Sequence, residues 1–524
     1  IGPLTAVEPG MGEPLLILSL VVIIIGGIGS VRGAFVAAVL VGMVDTMGRV
    51  LLPVILRSFM GQAAADGAGP ALASMMGGAQ TASADVAFDP TQPLKPRRPH
   101  FAPKAKSVIY LHMTGSPPVL DMFDYKPQLQ KREGENCPDE YLKGRRFAFT
   151  SGVPKLMGTP HDFKQHGQTG AWMSDAVPEL AKHVDDISFI KSMTTDQFNH
   201  APAELLLYTG SAREGRPSMG SWVTYGLGSA NQNLPGFVAL ISSGVQPNGG
   251  KNSFGSGFLP SVFQGVQCRS KGDPVLYLSD PKGLTREVRR QILDDLMALS
   301  MESFEQTGDS EILTRMAQYE MAYRMQGSIP ELTDLSHETK ATFDLYGEDA
   351  RQPGTFANHC LMARRLAERD VRFIQLFHRG WDHHSSLPAN LSARCQQTDQ
   401  ASAALVTDLK QRGLLEDTLV VWGGEFGRTT YSQGKATAKD YGRDHHPRCF
   451  SIWLAGGGIR GGLSYGQTDD FSYNIVKDPV SVHDLHATML HLLGINHLDL
   501  TFRFQGRQYR LTDVAGNIIQ PWLA

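Results

Sequence analysis

The chain has 524 residues, more than one hydrophobic core of roughly 250–300 residues organises, so it holds several domains or one domain with large additions. Its formal charge of −3 leaves no basic surplus to neutralise a phosphate backbone, which argues against nucleic acid as a partner. The five cysteines are scattered without a CxxC pair and read as small buried hydrophobes, not as a disulfide framework or a zinc knuckle.

In chain order, residues 14–31 (PLLILSLVVIIIGGIGSV) are eighteen residues without a charge, long enough as a helix to span a bilayer core of roughly 30 Å. Residues 33–56 form a second apolar run, interrupted by Asp45, Arg49 and Pro53, which require protein neighbours in lipid. With GGIGSVRGAFVAAVLVG and AGPALASM, residues 1–75 resemble the C-terminal part of a branched-chain amino-acid ABC transporter permease. The resemblance implies one or two membrane helices that anchor the chain; the alternative is a fusion remnant with no role. Residues 76–106, rich in Ala, Pro and Gly without periodicity, read as a linker. Ala82-Ser83-Ala84 has the small-residue pattern of a signal-peptidase site, so the chain beyond it is expected outside the cytoplasm, in the periplasm or at the cell surface.

From residue 107 to the C-terminus the pattern alternates. Short apolar runs at 107–113, 187–191, 237–242, 371–377, 418–423 and 450–455 predict buried strands. Helical spacing of apolar residues marks 286–305, 311–325, 356–368, 391–412 and 481–494. Such alternation predicts an α/β fold, a doubly wound, mainly parallel sheet with helices on both faces.

The densest chemistry lies between His378 and His446. Two acid-His-His clusters (Asp382, His383, His384 and Asp444, His445, His446) and Glu425 each fall at a strand edge, and open α/β sheets bind ligands outside the carboxyl ends of their strands. Imidazole beside carboxylate suits divalent cations such as Zn and Mn. Strand-like alternation turns Asp382 and His384 to one side and His383 to the other. After the first strand, Ser116 sits in a Gly-Ser-Pro-Pro turn where a cation would activate its hydroxyl, with Asp121 and Asp124 following; alternatively Ser116 shapes the turn and Asp124 pairs with Lys126. His200 stands at a helix start ahead of Pro202, and with Arg213 and Arg216 it is placed to hold an anionic group, although a capping role is the plainer reading of His200. Arg428, His383, His446 and His483 complete an outer rank of candidates. Ser481 and Asp484 match a capping box, and a structural role is expected for His483 and His486.

Seven motifs in order, VIYLHMTGSPPVLDMFDYKP, FNHAPAELLLYTGS, RPSMGSWVTYGLGS, GWDHH, LVVWGGEFGRT, GRDHHP and RFQGRQYRLTD, resemble the DUF1501 group of exported proteins from about residue 104 onward. That group is similar to the sulfatase and alkaline-phosphatase superfamily. The resemblance implies an alkaline-phosphatase-like fold with two divalent cations (Zn, Mg, Mn or Ca) at the carboxyl strand edges. Asp382 and His384 would hold one cation; Glu425 would help hold the other, with Asp444 and His445 completing the site. The superfamily's first-strand aspartate is replaced here by Thr114-Gly115-Ser116, so Asp121 or Asp124 must substitute for it. The Cys-x-Pro-x-Arg signature of formylglycine sulfatases is absent. The expected activity is metal-dependent hydrolysis of phosphate or sulfate esters, by Ser116 or water, on an anionic small molecule or glycan. The alternative is a catalytically inactive, metal-stabilised binding module for an anionic glycan or cell-surface polymer.

Overall fold

The computed structural model describes residues 92–142, 152–269, 275, 283–437 and 439–524. The permease-like stretch and most of the linker lie outside them, and among the described residues no helix is long and apolar enough to cross a membrane.

The strands are β1 (Ser107–Thr114), β2 (Phe163–His166), β3 (Ala171–Ser174), β4 (Ile187–Thr194), β5 (Phe237–Ile241), β6 (Val266–Cys268), β7 (Phe373–Arg379), β8 (Thr418–Gly423), β9 (Gly427–Thr437), β10 (Asp440–His446), β11 (Phe450–Ala455) and β12 (Ser464–Tyr465). The helices begin with the short α1 (Pro127–Lys131) and α2 (Asp139–Leu142), then α3 (His200–Thr209) and α4 (Met219–Leu227). They continue with α5 (Arg286–Thr307), α6 (Ser310–Thr333), α7 (Lys340–Tyr346), α8 (Phe356–Ala367), α9 (Leu387–Gln411) and α10 (Val482–Leu492).

The main sheet has the order β12-β4-β11-β8-β1-β7-β5-β6. β1 pairs in parallel with β7 and β8, opposing Ile109 to Ile374 and to Val420. All of these strands run one way except β11, which is antiparallel to both β8 and β4. This reversal positions the site: β11 starts at the edge where its neighbours end, so the residues just before it arrive beside those just after β7 and β8.

The expected strands and helices are present, and both sheet faces are covered. Ile109, Leu111 and Met113 of β1 join one apolar cluster with Leu361 of α8 and Leu405 of α9, while Val108 and Tyr110 join another with Trp222 of α4 and Leu485 of α10. Each such side chain contributes roughly 1.5–3 kcal/mol on leaving water. α6 runs beyond its expected end at 325 because Ile329 and Leu332 are buried, which offsets the roughly 1 and 3 kcal/mol that Gly327 and Pro330 cost a helix interior. The capping box of α10 is present, Ser481 Oγ accepting from Asp484 N–H and Asp484 from Ser481 N–H.

Gly427–Thr437 and Asp440–His446 form a two-stranded antiparallel ribbon that the apolar pattern did not announce, since its residues are mostly polar. It is pinned by Arg443, fully buried, whose guanidinium binds Asp121, Thr429 O (2.9 Å), Met157 O (3.1 Å) and Gly158 O (2.7 Å).

Three buried histidines away from the site, His359, His378 and His486, are held neutral by desolvation, at about 4, 3 and 3. Because these values lie below the unfolded value of about 6.5, the stability they carry is complete above pH 6.5 and is lost as pH falls toward 3–4. Denaturant titration at pH 5.5 is expected to show roughly 4 kcal/mol less stability from these groups than at pH 7.5.

Candidate metal centre

β7 delivers Asp382 to the carboxyl edge of the sheet, where three imidazoles meet its carboxylate. His384 Nε2 lies 2.8 Å and His445 Nε2 3.3 Å from Asp382 Oδ1, and His200 Nε2 lies 3.3 Å from Oδ2. Three segments supply these groups: the turn between β7 and α9, the end of β10 and the first residue of α3. Close packing makes the convergence possible. A Cβ on Gly442 would lie 2.0 Å from the carbonyl of His384, and one on Gly115, whose φ is +102°, would lie 2.6 Å from Asp382 N. Arg443 N–H donates to His383 O (3.0 Å), which joins the ribbon to the Asp382–His384 turn.

Each ring is anchored on its outer nitrogen. His200 Nδ1 faces Glu425 Oε1 at 2.6 Å, His445 Nδ1 faces Phe198 O at 2.6 Å, and His384 Nδ1 faces the Gln433 side-chain oxygen. Carboxylate and carbonyl oxygens only accept, so Nδ1 carries the proton in each ring. A neutral ring then turns its Nε2 lone pair toward Asp382. Lone pairs aimed at an anion repel it unless the rings take up further protons or a cation sits among them, and outward acceptors of this kind orient metal-bound histidines. Burial opposes charge on His200, but its bonds to Asp382 and Glu425 outweigh that and raise it to about 9. Burial would raise Asp382, yet the three histidines and Arg428 hold it well below the usual carboxylate range. His445 is lowered, by burial first.

Arg428 closes the base of the site. It donates to Asp382 Oδ1 (2.6 Å), Ser116 O (3.0 Å), Arg443 O (3.1 Å) and Gly115 O. Beside Asp382 and His200 a cavity of about 300 Å³ opens, lined by Thr114, Asn248, Arg379, His383, Asn390 and Arg394.

The sequence candidates divide. Asp382, His384, His445 and His200 converge, with Arg428 against them, while His383 lines the neighbouring cavity and stays out of the donor set. Glu425 stands behind His200 instead of among the outer donors. Asp444, buried, accepts from His445 N–H and sits at the register shift of the ribbon between Arg443 and His445, outside the donor set. His446 Nε2 bonds Tyr473 O at 2.8 Å. Asp121, expected as a stand-in ligand, is consumed by Arg443 Nε (2.9 Å) and the Tyr441 hydroxyl (2.7 Å). Asp124 accepts from Ser472 Oγ (2.7 Å) and sits 3.5 Å from Lys126. Ser116 is fully buried, with Oγ accepting from Phe426 N–H at 3.1 Å, the turn-shaping alternative. Arg213 is exposed beyond the far end of α3, a helix of ten residues and so about 15 Å from His200, while Arg216 pairs with Asp513. His483 Nε2 meets Gly210 O at 3.1 Å and His486 Nε2 donates to Leu207 O at 2.7 Å, both structural contacts.

His112, Glu204, Arg379 and Arg394 also stand at or behind the site, and the sequence did not single them out. A lone His in an apolar strand and a lone Glu within HAPAELLLYTG were the available signals, since a charge in a buried run needs a partner. Arg394 on an amphipathic helix carries none.

A family model described as "Protein of unknown function (DUF1501)" matches residues 105–523. The chain belongs to the DUF1501 family. The DUF1501 match begins beyond the permease-like stretch, which therefore draws nothing from it. No curated protein matches this DUF1501 chain in sequence. Among solved structures it is similar to the alkaline phosphatase of the Antarctic bacterium TAB5, at 11% identity and a TM-score of 0.31 over 75% of this chain and 99% of that one. It is also similar to a sulfatase from Pseudoalteromonas sp. (14%, 0.31, 80% and 72%) and to the phosphonate monoester hydrolase of Silicibacter pomeroyi (10%, 0.31, 80% and 76%). At such TM-scores these likenesses carry no functional argument.

Proposed function

We propose that this DUF1501 chain is an exported, metal-dependent hydrolase of phosphate or sulfate esters. The observation that carries the reading is the convergence of three histidine Nε2 atoms on Asp382, each ring anchored by an acceptor on its outer nitrogen. A donor set of three imidazoles and a carboxylate suits Zn or Mn. A divalent cation held there supplies Lewis-acid polarisation of the ester and neutralises the charge that develops on it. The protein's own groups do the rest. Arg379 and Arg394 flank the cavity and hold the ester's anionic oxygens, since guanidinium forks fit phosphate and sulfate bidentately. Glu425 fixes the His200 ring, and Arg428 fixes Asp382. With the Ser116 hydroxyl buried against Phe426, water entering the cavity is the attacking group.

Arg394→Ala is expected to raise KM for an aryl phosphate or sulfate roughly 10–100-fold, the loss of a charge-assisted hydrogen bond worth about 1.5–3 kcal/mol, and to leave hydrolysis of a neutral ester unchanged. Steady-state kinetics on matched charged and neutral substrates reads this. A screen of aryl phosphate monoesters, diesters and aryl sulfates, with and without chelator, tests the function itself: cation-dependent turnover of one class is expected, and no turnover of any sinks it. The buried Ser116 favours a second reading, an inactive module whose arginines bind an anionic glycan. Binding of a sulfated polymer without turnover of any ester would select that reading. Export rests on residues 14–31 and Ala82-Ser83-Ala84, and recovery of the chain only in the cytoplasmic fraction would refute it.

A further inference from the structure

On the inner side of Glu425 lies a second group of donors, of which the proposed hydrolysis uses only Glu425, through its outward oxygen. His112 of β1, Glu204 of α3 and Glu425 of the turn after β8 are each 0% exposed. His112 Nε2 is 3.5 Å from Glu204 Oε1 and 3.5 Å from Glu425 Oε2. Charge-assisted N–H···O bonds run at roughly 2.7–2.9 Å, and a single N–H cannot point along two directions at once. Among the described residues, neither ring nitrogen of His112 nor Glu425 Oε2 makes a hydrogen bond of ordinary geometry, and neither does the hydroxyl of Tyr110, whose ring lies beside His112. Buried polar groups without well-formed hydrogen bonds are rare, and here one imidazole stands 3.5 Å from each of two buried carboxylates. Nitrogen and oxygen donors placed about 2.0–2.2 Å from one tetrahedral cation stand roughly 3.3–3.5 Å from each other, which is the spacing here.

We propose that His112, Glu204 and Glu425 hold a buried divalent cation of the Zn or Mn class. Glu425 then joins two layers, one oxygen on the buried cation and the other accepting the Nδ1 proton of His200. The cation ties β1, α3 and the turn after β8 together and neutralises the two buried carboxylates. It also fixes the orientation of the outermost ring from behind. This goes beyond the proposed function and stands whether or not the chain hydrolyses esters. Because all three side chains are fully buried, the cation enters during folding and resists a chelator that strips the exposed centre at Asp382.

Metal content of the purified full chain after prolonged chelation tests this. One cation per chain is expected to remain in the wild type and in Asp382→Ala, and none in Glu204→Gln. A metal-free wild type and metal-free Asp382→Ala after chelation would overturn it, as would an unchanged metal content in Glu204→Gln. Should Glu204→Gln fail to fold, anomalous diffraction from chelated wild-type crystals decides. A peak among His112 Nε2 and the two carboxylates supports the site and its absence refutes it. Loss of ester turnover has no bearing on these counts, so failure of the two readings is distinguishable.

Discussion

Asp382→Ala is expected to lower kcat/KM for the best ester substrate by roughly a thousandfold or more, about 4 kcal/mol of transition-state stabilisation. Among the described residues Asp382 is the only carboxylate in the outer donor set, and every other group there is oriented against it: His384, His445 and His200 through Nε2, and Arg428 through Nη2. Removing it leaves the Arg428 guanidinium without its counter-charge beside the three imidazoles, which weakens the hold on a cation. The loss therefore comes with loss of the exposed metal, and added cation at high concentration restores little. Asp382→Asn keeps the shape and one oxygen but no charge, so it is expected to fall between wild type and alanine. A merely structural aspartate would instead leave kcat/KM near the wild-type value for whatever fraction folds, a difference that kinetics on the folded fraction detects.

The second large effect concerns stability alone. Asp121→Ala is expected to destabilise the fold by roughly 3–5 kcal/mol, because it strands Arg443, a fully buried cation, without its counter-charge. Burial works against charge on Arg443, and Asp121 outweighs it and raises the guanidinium above its ordinary value. Tyr441 loses its acceptor in the same variant. Since Arg443 pins the ribbon that carries Arg428 and His445, loosening is expected to start there. Denaturant unfolding measures the loss, and metal content at low temperature separates the two roles of Asp121. As an anchor its removal leaves the metal count of folded protein unchanged, whereas a ligand's removal would lower it.

How much of this was legible in the sequence depends on where the signals lie. The strands around β1 are buried on both faces, so uninterrupted runs such as VIYLHM and TLVVW announce them. Asp382, His384 and His445 were readable because two acid-His-His triplets fall at neighbouring strand edges, which one triplet alone would not have made informative. Glu425 was legible as a site residue, but not as the group behind His200, because that depends on α3 and β8 meeting at one edge. Arg213 was misplaced by proximity in sequence: a ten-residue helix separates it from His200. Asp121 and Asp444 were drawn in by residue type, and only the ribbon register, which has irregularities between Tyr441 and His445, decides that Arg443 takes the first and that the second stays outside the donor set. His112 and Glu204 were hidden because each sits singly in an apolar run, and nothing local says that they face each other.

The proposed function requires that His200, Asp382, His384 and His445 bind one cation. Crystals of the full chain grown with Zn or Mn and measured at the metal's absorption edge test it most directly. An anomalous peak within roughly 2.0–2.3 Å of the three Nε2 atoms and an Asp382 oxygen is the expected result. Histidines still hydrogen-bonded to Asp382 with no peak between them, at saturating cation, would contradict it.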